Sequence, residues 1–235
     1  MIKRILVVVL VAISGFVAFA ATRPGTYRVE RSARIEAPAA VVFAQLDDFK
    51  AWPAWSPWEG KDPQMKKTFE GPPRGVGAGY AWQGNDKVGE GKMSVIDSRP
   101  PVDLRLRLEF IKPFPAVAST EFVLQPEAAS ATNVTWAMEG TNNLVAKMFG
   151  LLMNMDTMIG NDFTAGLTSL KRVSETDARR REAEAAAAQA EAAAKAEAAA
   201  AAAAAEKAKA EAAALAAAEE EKEADAKKKG KKKKR

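Results

Sequence analysis

The stretch Asn143–Val173, NLVAKMFGLLMNMDTMIGNDFTAGLTSLKRV, sets what the rest of the chain must do. Leu144, Met148, Leu151, Met155, Ile159, Phe163, Leu167 and Leu170 recur at helical spacings, which places them on one face. The spacing predicts a single long helix with Lys147, Asn154, Asn161, Thr168 and Arg172 on its opposite side. Val145, Phe149, Leu152, Met153 and Met158 widen the apolar arc of the N-terminal half, and an arc that wide predicts a mostly enclosed helix. The methionines there are adaptable packers. They read either as plain core or as part of the lining of a ligand cavity under a curved sheet.

The region before this helix has a period of two. Tyr27–Ile35 alternates and reads as a strand. Pro38 opens a short helix over Ala39–Asp47, with Val42, Phe43 and Leu46 on one face. Phe49–Trp58, FKAWPAWSPW, contains Pro53 and Pro57, which forbid a long helix. Its tryptophans, Trp52, Trp55 and Trp58, predict a short helix and loop pinned on the core, or the rim of a ligand mouth. Short strands follow over Met65–Phe69, Ala78–Gly84 and Gly89–Asp97, the last two joined by a hairpin turn at Gly84-Asn85-Asp86-Lys87. Gly89 and Gly91 permit a bend or bulge. The clearest strand is Val102–Ile111, in which Val102, Leu104, Leu106, Leu108 and Phe110 alternate with Asp103, Arg105, Arg107 and Glu109. One apolar and one wet face is the mark of an antiparallel sheet. Ala118–Gln125 and Asn133–Gly140 add two more strands, with Phe122, Leu124, Val134, Trp136 and Met138 inward. A one-sided sheet must cover its apolar face, and only the long helix is long enough to do it. A twisted sheet curling around one helix leaves a tapered space.

Composition removes several classes of chemistry. The chain has 235 residues, a formal charge of +5, and neither cysteine nor histidine. Disulfides and thiolate chemistry are excluded, and so are the usual general base, the usual zinc ligand and both common nucleophile triads. No metal site, cofactor or catalytic residue is assigned. Glu90, Glu109, Glu121, Glu139, Asp156 and Asp162 are the carboxylates near the inner elements, and each reads as structural or solvated: Glu109, Glu121 and Glu139 are out of phase with their strands' apolar residues, and Asp156 and Asp162 lie away from the centre of the helix's apolar stripe.

Both ends differ from this globular part. Residues 1–22 form a leader: Lys3 and Arg4 precede an uncharged run, Ile5–Ala21. It reads as an uncleaved signal anchor or as a signal peptide cleaved after Ala20, at the A-x-A pattern Ala18-Phe19-Ala20. Lys3 and Arg4 favour an inside N terminus, while Arg23, Arg28, Arg31 and Arg34 lie on the other side. Because the leader looks like a secretion signal, the expected location is the membrane, with a single-pass N-terminal anchor and an extracytoplasmic, periplasmic domain. Residues 176–235 form an Ala/Glu/Lys-rich tail, expected to be a helical or disordered spacer without a heptad seam. It ends in the basic block KKKGKKKKR, Lys227–Arg235. Such a block is either a solvated tail or a contact for a polyanionic surface. It carries no groove-reading context, so sequence-specific nucleic-acid binding is not expected.

Residues 25–175 then carry a family signature. IEAPAAVVFAQLDDFKAWPAWSPWEG, GPPRGVGAGYAWQGNDKVGEGKM, FIKPF and MFGLLMNMDTMIGNDFTAGLTSLK, in register across Tyr27–Ser174, resemble the START-like, SRPBCC superfamily. More narrowly they resemble its bacterial polyketide cyclase/dehydrase and lipid transport group. The resemblance implies an α+β helix-grip fold, with a curved antiparallel sheet of about seven strands around the long C-terminal helix and a hydrophobic cavity between them. Family members include lipid carriers, hormone-binding proteins and aromatic cyclases. The expected function is a membrane-tethered binding or carrier module for a hydrophobic small molecule or lipid. The alternatives are a polyketide cyclase-type enzyme and a non-catalytic envelope protein with protein partners. Expected cavity residues are Tyr80, Trp82, Met93, Leu106, Leu108, Phe122, Trp136, Met148, Leu152, Met155 and Ile159.

Overall fold

The computed structural model describes residues 1–152 and 154–232, and side chains within them except those of residues 149, 152, 155 and 223–232. After helix α1 (Ile2–Ala21) the order is β1 (Thr26–Ile35), α2 (Ala39–Leu46), a short 3-10 helix (Trp52–Ala54) and six further strands. These are β2 (Lys66–Glu70), β3 (Gly79–Gln83), β4 (Glu90–Arg99), β5 (Asp103–Lys112), β6 (Ala116–Ala128) and β7 (Ala131–Thr141). Helices α3 (Leu144–Leu152) and α4 (Met155–Lys232) complete the described chain. The chain divides into two compact units, Met1–Arg179 and Arg180–Arg235.

The strands form one seven-stranded antiparallel sheet in the order β1-β7-β6-β5-β4-β3-β2. From β2 to β7 it is a meander, and β1 joins at the far edge beside β7. The chain must therefore cross the sheet between β1 and β2, and α2 with the tryptophan-rich loop makes that crossing. Register shifts at Glu90/Gly91 and Val95/Asp97 put irregularities into β4. Bulges of this kind bend a strand and increase its twist, so the sheet curls. The alternation in β5 buries Leu104 and Leu106 and turns Arg105 and Arg107 outward. The hairpin before β4 makes its left-handed residue Gly89, not Asn85 or Asp86, since no non-glycine residue among those described has a positive φ.

The tryptophan-rich loop is held by polar bonds as well as by packing. Trp52 Nε1 donates to the Leu46 carbonyl at 2.9 Å and Trp55 Nε1 to the Gln45 carbonyl at 3.1 Å. Those carbonyls belong to the last turn of α2 and have no partner within the helix. Each indole thus satisfies a helix end while burying its own ring. Trp55 also lies edge-on to Phe122 at 6.0 Å and Trp136 at 5.7 Å, which ties the loop to β6 and β7.

Helix α4 grips the sheet through Phe163, Leu167 and Leu170, all buried. Phe163 stacks on Trp136 of β7 with centroids 4.1 Å apart and planes at 9°. This approach requires Gly166, where a Cβ would lie 2.7 Å from the Trp136 ring and 3.0 Å from Pro57.

The single long helix expected over 143–173 is two helices. Asn154 begins the second one: its Oδ1 accepts the Thr157 N–H at 3.0 Å and its carbonyl accepts the Met158 N–H at 3.1 Å. Asn143 caps α3 in the same way, accepting the Ala146 N–H at 2.8 Å. The apolar period runs through the break, which is why spacing alone concealed it. The expected enclosure of this half also fails for Leu144, Val145 and Met158, which are 44%, 54% and 50% exposed. At its other end α4 does not stop near Val173. Ser174 and Ala178 are still buried, so packing continues past residue 175, where composition places the domain's edge. Within the second unit the helix carries exposed ion pairs such as Arg180–Glu184 and Glu191–Lys195, at 2.7 and 2.6 Å. The basic block Lys227–Arg235 has side chains outside the described residues.

Candidate ligand cavity

Sheet and helix do not meet completely. Between the curled half of the sheet and the first turns of α4 lies a cavity of about 230 Å³. Its sheet wall is Tyr80 and Trp82 of β3, Met93 of β4, Leu108 and Phe110 of β5, and Trp136 and Met138 of β7. Tyr80, Met93 and Leu108 are cross-strand neighbours, so one row of side chains forms the centre of that wall. Ile159, Asp162 and Phe163 come from α4, and Phe49, Trp52, Pro53 and Trp58 from the tryptophan-rich loop. Gly91 makes room for the wall, because a Cβ there would overlap the Trp82 ring and lie 2.6 Å from the Glu109 carbonyl.

The lining is predominantly aromatic. Tyr80 stacks between Phe69 and Trp82 at 5.5 and 6.0 Å, and Trp82 meets Phe110 edge-on at 6.1 Å. Three polar groups of the floor, on Thr120, Trp136 and Trp82, are already engaged. Thr120 Oγ1 donates to the Ala137 carbonyl at 2.8 Å and accepts from Trp136 Nε1 at 3.2 Å. Trp82 Nε1 donates to the Val88 carbonyl at 3.3 Å. A guest therefore meets apolar surface and ring faces there.

Charge is confined to two ion pairs. Lys67 of β2 pairs with Glu59, and both side chains are only about one-fifth exposed, at 21% and 19%. Asp162 of α4 accepts from Lys61 Nζ at 2.6 Å. Burial, with a smaller contribution from the Glu59 charge, pushes the Tyr80 phenol well above its ordinary range. Tyr80 thus remains a neutral donor at any physiological pH. Among the described residues no cluster of His, Cys, Asp or Glu is suited to a metal ion.

The expected cavity residues separate into four groups. Tyr80, Trp82, Met93, Leu108, Trp136 and Ile159 line the space. Leu106 and Phe122 face the same side of the sheet but are fully buried beside it. The rings of Trp52 and Trp55 cover Phe122 edge-on at 6.1 and 6.0 Å, and so keep it out of the cavity. Met148 lies on α3, beyond the helix break, and is not part of the lining. Leu152 and Met155 have side chains outside the described residues.

Several lining residues escaped the sequence reading. Phe110 continues the alternation of β5 and was legible there. Lys67 lies directly opposite Trp82, so it shares the inner face, but that register exists only once β2 and β3 pair. Asp162 reads as a solvated helix position and instead borders the cavity. The remaining carboxylates are all ion-paired: Glu90 to Lys112, Glu109 to Lys92 and Arg107, Glu121 to Arg105, Glu139 to Arg28 and Asp156 to Arg31.

A curled sheet gripping a helix, with an aromatic space between them and charge only in flanking pairs, defines a helix-grip domain for hydrophobic ligands. The chain belongs to the polyketide cyclase / dehydrase and lipid transport family, whose model matches residues 26–175. No curated protein matches it. Among solved structures, the Zhui aromatase/cyclase from a Streptomyces species is 14% identical with a TM-score of 0.49, over 64% of this chain and 94% of that one. A Thermobifida fusca protein is 21% identical with a TM-score of 0.48, over 63% and 92% of the two chains. The Aha1 dimer from Colwellia psychrerythraea gives 14% identity and a TM-score of 0.46, over 63% and 96%.

Proposed function

We propose that the domain binds and carries a hydrophobic small molecule or lipid in this cavity while α1 holds it at a membrane. The observation that supports this reading is the apolar, aromatic floor, in which Thr120 and the Trp82 and Trp136 N–H groups are already bonded, a surface that selects for desolvated guests. At about 230 Å³ the cavity is smaller than the roughly 300–1,000 Å³ typical of ligand sites. The guest is therefore compact or leaves its polar end at the Glu59–Lys67 pair. Ile2–Ala21 is the one helix among the described residues long and apolar enough to cross a membrane, a test that a signal sequence also passes. Lys3 and Arg4 in its first turn, followed by an uncharged run, match the pattern of an export signal, which supports an extracytoplasmic domain against the opposing pull of Arg23, Arg28, Arg31 and Arg34.

The test is extraction of the full chain purified from membranes, with mass spectrometry of what co-elutes, and titration with a dansyl-labelled fatty acid. Tryptophans in the cavity wall are donors for energy transfer to the dansyl group, which reports binding at this place. A co-eluting apolar compound and saturable transfer are expected. Neither appearing, over repeated preparations, would overturn the carrier reading.

A second reading, an enzyme of the cyclase type, is favoured by Tyr80, a neutral phenol beside the Glu59–Lys67 pair. Holding a reactive chain in one conformation supplies much of the barrier reduction such a ring closure needs. Turnover of a poly-β-keto substrate that is lost in Tyr80→Phe would support it. Absence of turnover in the intact protein would end it.

A further inference from the structure

Among its described side chains, helix α3 contributes none to the ligand cavity. It carries an apolar, acid-free sequence, LVAKMFGLL, and presents Leu144 and Val145 to solvent. It packs against α1. Along α1 nearly every residue is exposed, and those that lose solvent are Phe16 and Val17, partly, and Ala20, completely. Lys147 Nζ donates to the Ala21 carbonyl at 3.3 Å, closing the C-terminal end of α1, where a cation is favoured. Beside that junction is a polar cleft of about 520 Å³ lined by Arg23, Tyr27, Asn142, Lys147 and Asn154.

These positions fix a depth. From Thr22 back to Phe16, α1 rises about 9 Å at about 1.5 Å per residue. If α1 crosses the bilayer and ends at its surface, α3 lies alongside the last 9 Å or so. Interfacial amphipathic helices bury their apolar face by about 5–10 Å, to the boundary of headgroups and acyl chains. We infer that α3 is a second membrane element, lying in the interfacial layer of the bilayer that α1 enters, with Leu144 and Val145 toward the acyl chains and Arg23 and Lys147 at the phosphates. The occupant of this exposed face is thus the phospholipid surface. Two observations select it: α3 packs on the apolar helix α1, and the charged side chains at their junction, Lys147 of α3 and Arg23 after α1, are cationic, as phosphate headgroups require. Because α3 leads directly into α4, whose Ile159 and Phe163 line the cavity, it holds the ligand site against the lipid from which a guest would come. The inference rests on the reading of α1 as a membrane anchor.

The chain has no cysteine, so a single introduced one is labelled without background. Full-length Val145→Cys, Leu144→Cys, Val9→Cys and Val76→Cys are labelled with the fluorophore NBD. They are reconstituted into vesicles of three parts phosphatidylcholine to one part phosphatidylglycerol containing acyl-chain nitroxide lipids. All four native side chains are exposed, so each label is carried without repacking the core. The expected result is strong quenching at Val9, shallower quenching at Val145 and Leu144 that is several times the level at Val76, and almost none at Val76. Quenching at Val9 with none at Val145 and Leu144 overturns this inference and leaves the anchor standing. Labels at 144 and 145 shielded from water but not quenched by nitroxide also overturn it, and show a protein partner on the face. No quenching at Val9 overturns the anchor reading, and the inference with it.

Discussion

Met93→Trp separates a real cavity from a packing gap. Met93 stands in the middle of the sheet wall, between Tyr80 and Leu108, with the cavity in front of it. An indole there takes room that about four methylene groups of a guest would use. At about 0.8 kcal/mol per methylene the loss is about 3 kcal/mol, roughly 150-fold in Kd. In a filled core the same substitution costs about 1–3 kcal/mol of stability, through displaced rotamers and backbone. A domain of this size melts about 2–4 °C lower for each kcal/mol lost. With about 230 Å³ free, the new ring occupies existing space and the melting temperature stays level or rises. The assay pairs thermal unfolding with energy transfer to a dansyl-labelled fatty acid, in full-length protein. An added tryptophan raises the donor signal, so a fall in transfer reports lost binding. A protein that melts several degrees lower while binding the probe unchanged would refute the reasoning, since the space would then be neither empty nor the site.

Gly166→Ala places a methyl group against Trp136 and Pro57 and pushes α4 off the sheet, at a cost of about 1–3 kcal/mol. Gly150→Ala meets nothing within 4 Å, and its melting temperature is the reference that Gly166→Ala must fall below. A chain ending at Glu175 loses the buried Ala178 and is expected to melt lower than one ending at Arg181; equal melting would show that packing stops where composition changes. Asp156 is held below the ordinary carboxylate range by hydrogen bonds from Arg31, Glu109 by Arg107 and then Lys92, and Glu175 by Lys171. A depressed carboxyl contributes stability that is present above its unfolded value, about 4, and lost as pH falls through the folded one. Melting temperature should therefore drop as pH is lowered from about 5 to about 3, with a shallower slope in Asp156→Asn. An unchanged slope would show that the Arg31–Asp156 pair, which joins β1 to α4, is screened to nothing.

Much of the architecture was legible before any coordinates. Alternation in Val102–Ile111 and its neighbours identified the strands, because a pleated strand with one wet face writes its period directly into the residue types. The apolar spacing from Ile159 to Leu170 identified the gripping helix for the same reason. The absence of histidine and cysteine was final, since no fold creates a side chain the chain lacks. What the sequence could not show depended on which surfaces meet. Asn154 reads as a polar position within a helix and becomes a helix start because its side-chain Oδ1 accepts the Thr157 N–H. Leu106 and Leu108 lie on one face of one strand, yet one is sealed in the core and the other borders the cavity. Lys67 reads as a surface lysine until pairing with β3 sets it opposite Trp82. Periodicity records which side of an element is apolar, whereas a cavity is the place where two apolar sides fail to touch, and that is decided by curvature, register and the rings of Trp52 and Trp55 closing over one end.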